Sequence, residues 1–402
     1  MTLRMAAVIA LALANVACGS MAQTPTTKPT PTPSASASTG TSSTASPTTS
    51  TSAGRMPSLG ILVAFSNGTG PQSAGYDLTL VAADGKVSAK VHAAVRSFIH
   101  TPGNGPGAAA YDLPEVSPSS SRVYYLDGDR DVRYIRPNGS GGLAARLPGT
   151  TIAHATFAVS PDDRRIAVSI LDYASSPPTL RLYVEDLGGG NHAEIFSSKS
   201  AWVWPVGWHQ GKLVLAATSS PPFTQQGISW NPYSAPEYHL VNAADATRLA
   251  TMGSGEVPSG CQPVGALTAA GTACYQRTAT AGGAGYFTTI DWTGKLGSRR
   301  VMTDTEGMAA VSPSGGSVAG CCDPGGTAWI DGGGGRFSSQ LHGSPQDWPC
   351  FIDDANILFG FLYPAPGQHP QIVNARRNMD GMVPILVPAS GFCAGVFPAA
   401  LD

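Results

Sequence analysis

The chain has 402 residues, 42% of them hydrophobic and only 12% charged, with a formal net charge of −2. Its length allows one large repeat domain or two to three ordinary ones. Charge falls well below the ~25% of an average soluble domain, which argues against a solvated helix bundle, and no run of five Lys or Arg offers a nucleic-acid footprint. With 48 Gly and 33 Pro, the composition suits many short strands joined by tight turns.

Residues 1–17 carry one basic residue, Arg4, then an apolar run from Met5 to Ala14. That run is far short of the ~20 residues that span a bilayer, so it reads as a cleaved signal peptide. The small residues ahead of Cys18, with Gly19-Ser20 behind it, resemble the bacterial lipobox, although Asn15 stands where that family usually has Leu. The resemblance implies that Cys18 is acylated and becomes the N-terminus, which anchors the protein to a membrane and leaves a net charge of −3 once Arg4 is lost. Cleavage after Ser20-Met21-Ala22 is the alternative, and it would release a soluble secreted protein. Residues 18–55 follow as a tether. From Gln23 to Gly54 nearly every residue is Thr, Ser, Pro or Ala, and Lys28 is the only charge, so little apolar surface opposes the entropy of disorder.

Two signals then recur through residues 56–402. One is an apolar strand that runs into a Ser-Pro or equivalent turn and a second strand. The other is a strand followed by a Gly-containing or similar turn, the grammar of a hairpin. The chain opens on a lone apolar strand, Leu59 to Phe65, with Tyr76 to Leu80 and Asp84-Gly85 after it. Glu115 to Pro118 precedes Arg122 to Tyr125, then Val132 to Ile135 and Asn138-Gly139. Phe157 to Pro161 precedes Arg165 to Val168, then Leu180 to Val184 and Gly188 to Gly190. Val206 to Trp208 precedes Lys212 to Leu215, then Tyr238 to Val241 and Ala244-Asp245. Val264 to Ala266 precedes Thr272 to Cys274, then Tyr286 to Trp292 and Thr293-Gly294. Val311 to Pro313 precedes Ser317 to Ala319, then Ala328 to Ile330 and Asp331-Gly332. Phe351 to Asp353 precedes Asn356 to Phe359, then Gln371 to Val373 and Asp380-Gly381, and a last copy, Gly395 to Pro398, stands alone.

Seven copies of each signal, roughly 40 to 60 residues apart, predict an all-β chain, a single β-propeller of seven four-stranded blades. The two series are out of phase: a strand lacking its partner at the start matches a lone one at the end. Pairing them closes the ring and removes exposed sheet edges. An array of two β-sandwich domains is the competing architecture, and it leaves the offset ends unexplained. The phrases Val116-Ser-Pro-Ser-Ser-Ser-Arg-Val-Tyr-Tyr125 and Val159-Ser-Pro-Asp-Asp-Arg-Arg-Ile-Ala-Val168 resemble the TolB-type propeller repeat. That resemblance implies the fold and is silent on activity.

Besides Cys18, six cysteines occur: Cys261, Cys274, Cys321, Cys322, Cys350 and Cys393. An even number in an exported chain predicts disulfides. Blade register places Cys261 beside Cys274. Cys350 has Cys321 or Cys322 within reach in the preceding blade, while a bond to Cys393 on the closing strand would lock the ring. No C-x-x-C pair is present and no histidine sits at ligand spacing from these thiols, which argues against a metal site.

No G-x-S-x-G elbow, H-E-x-x-H or phosphate-cradling glycine loop occurs, so no cofactor is expected. Asp127, Asp129 and Asp131 alternate as in a Ca²⁺ loop but lack its Gly and its bidentate Glu. Residues leading into the inner strands face one rim of the channel: Asp112, His154, Trp202, Cys261, Glu306, Asp347 and Phe392, with Trp204 and Trp348 beside them. Aromatic faces with a few carboxylates suit a sugar or peptide; equally, the tryptophans suit wedges between blades. The expectation is a non-catalytic binding module outside the membrane with a glycan, peptide or envelope-protein partner. The alternatives are a hydrolase or lyase with Glu306 and Asp347 as an acid/base pair, or a purely structural member of an envelope complex.

Overall fold

The computed structural model describes residues 56–66, 75–97, 113–150, 152–219, 235–253, 260–277, 285–297, 301–303, 308–323, 327–332, 335–340, 348–362, 367–374, 384–399 and 401. All the regular structure among them is strand, in seven four-stranded antiparallel sheets. No helix of the described residues is long and apolar enough to cross a membrane.

Blade 1 holds β1 (Leu59–Phe65), β2 (Gly75–Ala82) and β3 (Val87–Ala94). Blade 2 is β4 (Val116–Pro118), β5 (Val123–Asp127), β6 (Asp131–Ile135) and β7 (Gly141–Arg146). Blade 3 is β8 (Ala153–Val159), β9 (Arg165–Asp172), β10 (Thr179–Asp186) and β11 (Ala193–Ser198). Blade 4 is β12 (Trp202–His209), β13 (Lys212–Thr218), β14 (Glu237–Val241) and β15 (Arg248–Met252). Blade 5 is β16 (Gln262–Thr268), β17 (Gly271–Arg277), β18 (Gly285–Ile290) and β19 (Val301–Thr303). Blade 6 is β20 (Met308–Val311), β21 (Val318–Asp323), β22 (Thr327–Gly332) and β23 (Gly335–Gln340). Blade 7 is β24 (Cys350–Phe351), β25 (Asn356–Phe359), β26 (Gln371–Asn374) and β27 (Ile385–Leu386). The last strand, β28 (Phe392–Phe397), returns to blade 1 and pairs antiparallel with β1, from Leu59 opposite Phe397 to Val63 opposite Phe392. The offset between the two repeat series is therefore the ring closure itself.

Burial falls from the axis outward. The strand β1 is buried throughout and β8 nearly so, because each is covered on both faces by neighbouring blades. The outer strands β3, β7 and β11 alternate or stay largely exposed, as expected of an edge with solvent on one side. Large side chains fill the wedges between blades: Trp208, Tyr76, Tyr238, Phe157 and Phe392 are each fully enclosed.

The Ser-Pro turns have a local cause. In blade 3 the Ser160 hydroxyl accepts the Arg165 N–H at 2.9 Å and donates to Asp162 at 2.6 Å, so one side chain satisfies the backbone where the ladder stops. Ser312 accepts from Ser317 in the same way; in blade 2 the residue after the proline, Ser119, accepts the Arg122 N–H instead. Asp163 completes the blade 3 turn at φ 59°, a left-handed conformation that aspartate tolerates better than most residues.

Disulfides join Cys261 to Cys274 within blade 5 and Cys350 to Cys393 between blade 7 and the closing strand. Cys350 bonds Cys393 and not the expected Cys321 or Cys322, because β28 returns beside the inner strand of blade 7 and brings Cys393 to a Cα distance of 6.1 Å; the bond clasps the ring. Cys321 is disulfide-bonded as well, and the side chain of Cys322 lies outside the described residues.

Candidate functional site

We call the mouth where the inner strands begin the upper mouth, and the other the lower. Asp112, Glu306 and Asp347, expected from the sequence at the upper mouth, lie outside the described residues, as does Cys18. The remaining residues singled out in the sequence are placed, and they are buried. His154 is 2% exposed, Trp202 3%, Trp204 5% and Trp348 9%. Trp202 and Trp204 lie in the core cluster shared by blades 3, 4 and 5. Trp348 meets Phe392 edge-on at 5.3 Å, and its φ of 67° holds a bulky residue in a conformation that only firm packing sustains. The disulfide at Cys350, two residues on, supplies part of that support.

His154 belongs to an ionic knot that no single segment of sequence displays. The Arg96 guanidinium, following β3 in blade 1, lies 3.5 Å from the Glu115 carboxylate at the start of blade 2, and both side chains are under one-tenth exposed. Arg96 also donates to the Ala155 carbonyl at 2.6 Å and to His154 Nε2; the guanidinium has no acceptor, so the imidazole nitrogen receives that bond. The other Glu115 oxygen accepts the Phe157 N–H at 3.1 Å. Charges buried so deeply persist only when paired, and here the pairing ties three blades together. Shallow clefts flank the knot, the first beside Arg96, Glu115 and Tyr76, the second between His154 and the two tryptophans.

The alternating aspartates of the blade 2 turn are likewise committed to protein partners. Asp127 accepts the Ala94 N–H at 2.9 Å and pairs with Arg133 at 2.8 Å. Asp129 accepts both the N–H and the hydroxyl of Ser97, and Asp131 pairs with Arg146 at 3.1 Å. Among the described residues no group of three His, Cys, Asp or Glu side chains converges as a metal site would.

The concave site lies at the other end. At the lower mouth the ends of the inner strands enclose about 670 Å³, counting space open to solvent. Its walls come from β4 (Val116, Ser117), β8 (Val159), β12 (Val206, Gly207, Trp208), β16 (Gly265, Ala266, Leu267) and β28 (Ala394, Val396). No acidic or basic side chain is among the seventeen lining residues. The polar side chains in the lining are Ser117, Trp208 and Tyr238; the Ser117 hydroxyl accepts the Val159 N–H at 2.9 Å and joins blade 2 to blade 3, and Trp208 Nε1 donates to the Ala158 carbonyl at 3.2 Å. Gly265, at φ 90°, lets β16 approach β20 so closely that a Cβ there would sit 1.8 Å from the Ala309 carbonyl oxygen. The segment after β28 bends across this mouth. Ala399 donates its N–H to the Ser119 carbonyl at 2.9 Å, and Leu401, 8% exposed, is among the lining residues. Sequence reasoning pointed to the upper mouth, and nothing local marks the lower one: the Leu401 carbonyl accepts from His209, 192 positions away.

No family model matches the sequence, and no curated protein matches it. Among solved structures the chain is similar to an oligogalacturonate lyase in complex with manganese, at 12% identity and a TM-score of 0.47 over 74% of this chain and 81% of that one. It is similar to an oligogalacturonate lyase from Vibrio parahaemolyticus, at 9% identity and a TM-score of 0.47 over 75% and 88%. Apo AztD from Citrobacter koseri is similar at 11% identity and a TM-score of 0.43 over 85% and 98%.

Proposed function

We propose that this chain is an exported, membrane-tethered β-propeller that serves as a non-catalytic binding module at the cell envelope, with the axial cavity as its site. The observation that carries the reading is the chemistry of that cavity. It is concave and apolar, with a few backbone polar groups and no acid or base among its described lining residues, which suits recognition rather than proton transfer. At the upper mouth Arg96 and Glu115 are already paired with each other, and Arg96 with His154.

Export is supported by the leader, by the lipobox-like residues around Cys18 and by the uncharged tether. The disulfides agree with it, since such bonds persist in oxidising compartments. In this reading the tether holds the propeller away from the lipid surface, where it meets a glycan, peptide or protein.

Labelling cells with an alkyne fatty acid tests the anchor. The unaltered protein is expected to carry label and sediment with membranes, and Cys18→Ser is expected to lose both. An unlabelled protein found in the medium would overturn the anchor.

A further inference from the structure

The bend of the chain across the lower mouth resembles a bound peptide more than a simple end of a strand. Its contacts fall into two kinds. Two are made by main chain: the Ala399 N–H donates to the Ser119 carbonyl, and the Leu401 carbonyl accepts from His209 Nδ1. The third is a side-chain fit. Gly207 has no Cβ, and one built there would lie 2.3 Å from Leu401 Cδ1, so the missing side chain makes the room that the leucine takes.

The receiving groups are held independently of the tail. His209 is buried and stacked on Trp292, with ring centroids 4.3 Å apart and planes 10° from parallel. Trp292 is fixed in turn by its Nε1–H, which donates to the carbonyls of Thr268 and Ala269. The histidine donor is thus oriented from blade 5 and the Ser119 acceptor from blade 2, before any ligand arrives. Groups that read backbone polar atoms and one apolar side chain accept any segment that presents them in the same turn.

We infer that the lower mouth is a binding site for a short peptide turn bearing a leucine-sized side chain, and that Ala399 and Leu401 of this chain, themselves in a turn, occupy it in cis. The inference rests on the binding-module reading and names the ligand class of its cavity. One leucine and two hydrogen bonds are comparable to the entropy of ordering a few residues, so the occupant is displaceable. Its advantage is its tethering through β28, which gives it a high effective concentration.

The test uses the whole exported chain and a fluorescein-labelled hexapeptide, Phe-Pro-Ala-Ala-Leu-Asp, which repeats residues 397–402, read by anisotropy. A second peptide with Ser in place of Leu is the control. Leu401→Ser is expected to bind the leucine peptide at least tenfold more tightly than the unaltered chain does, and to ignore the serine peptide. Adding Gly207→Val is expected to abolish that binding. Equal binding of the two peptides, or binding of neither to a folded Leu401→Ser chain, overturns the inference. A chain ending at Pro398 repeats the measurement if Leu401→Ser does not fold. An apolar dye, anilinonaphthalene sulfonate, separates the two readings. If it enters the Leu401→Ser cavity but not the Gly207→Val one while the peptide stays out, the peptide inference fails and the binding module survives. If neither probe enters, both fail.

Discussion

Blades 3 and 7 solve one folding problem with different means. Strands in blade 3 run 7, 8, 8 and 6 residues, and the β9–β10 ladder is continuous over eight pairs. In blade 7 the strands run 2, 4, 4 and 2 residues. Blade 3 contains no cysteine, whereas the inner strand of blade 7 is bonded covalently to β28. All six propeller cysteines fall between positions 261 and 393. The contrast teaches that the short ladders of blade 7 are backed by a covalent bond, while the long ladders and aromatic core of blade 3 stand without one.

The strongest challenge to this contrast is to damage the core of blade 3. Phe157 is 1% exposed within the cluster between blades 2 and 3, so Phe157→Ala is expected to cost about 3–5 kcal/mol. Urea unfolding measures it, and a loss below about 1 kcal/mol would show that blade 3 does not depend on packing.

Next comes the clasp. Replacing Cys350 and Cys393 together with Ser opens a loop of sequence separation 43, worth about 4 kcal/mol in the chain-entropy model; Cys261 and Cys274, separated by 13, are worth about 3. Removal of the clasp is expected to speed hydrogen exchange first in β1 and β24–β26, leaving β8–β10 protected. Uniform loss of protection across all blades would break the comparison.

The smallest effect concerns acid. The Ser160 hydroxyl holds the Asp162 carboxyl below its ordinary 3.8, helped by the Arg164 N–H and the charges of Arg164 and Arg165 and opposed by partial burial. The unfolded chain binds the proton more readily, so this contribution is complete above 3.8 and is lost as pH falls through the folded value. Ser160→Ala is expected to flatten that part of the acid limb of a melting-temperature profile, and an unchanged limb would sink the assignment.

These contrasts bear on what the sequence displays. Every inner pair of strands was legible, because apolar runs such as Arg165 to Val168, with a Ser-Pro or equivalent turn ahead of them, recur every 40 to 60 residues or so. The closure was legible too, as a difference in phase. Tryptophans 202, 204 and 348 were visible as rim residues, yet their burial depends on how tightly neighbouring blades wedge together. Arg96 and Glu115 carried no signal, since their pairing spans two blades and Arg96 sits in no repeat. Gly207 read as part of a degenerate turn, and only the approach of Leu401 gives it meaning.

The pairing of Leu59 with Phe397 sets a timetable. A polypeptide made from its N-terminus delivers β1 early and β28 last, so the fully apolar stretch Leu59–Phe65 waits with one edge unsatisfied while some 330 residues follow. During that interval it is a template for aggregation and a target for proteases. Distant pairing of this kind folds slowly, so the ring spends longest with this one edge open.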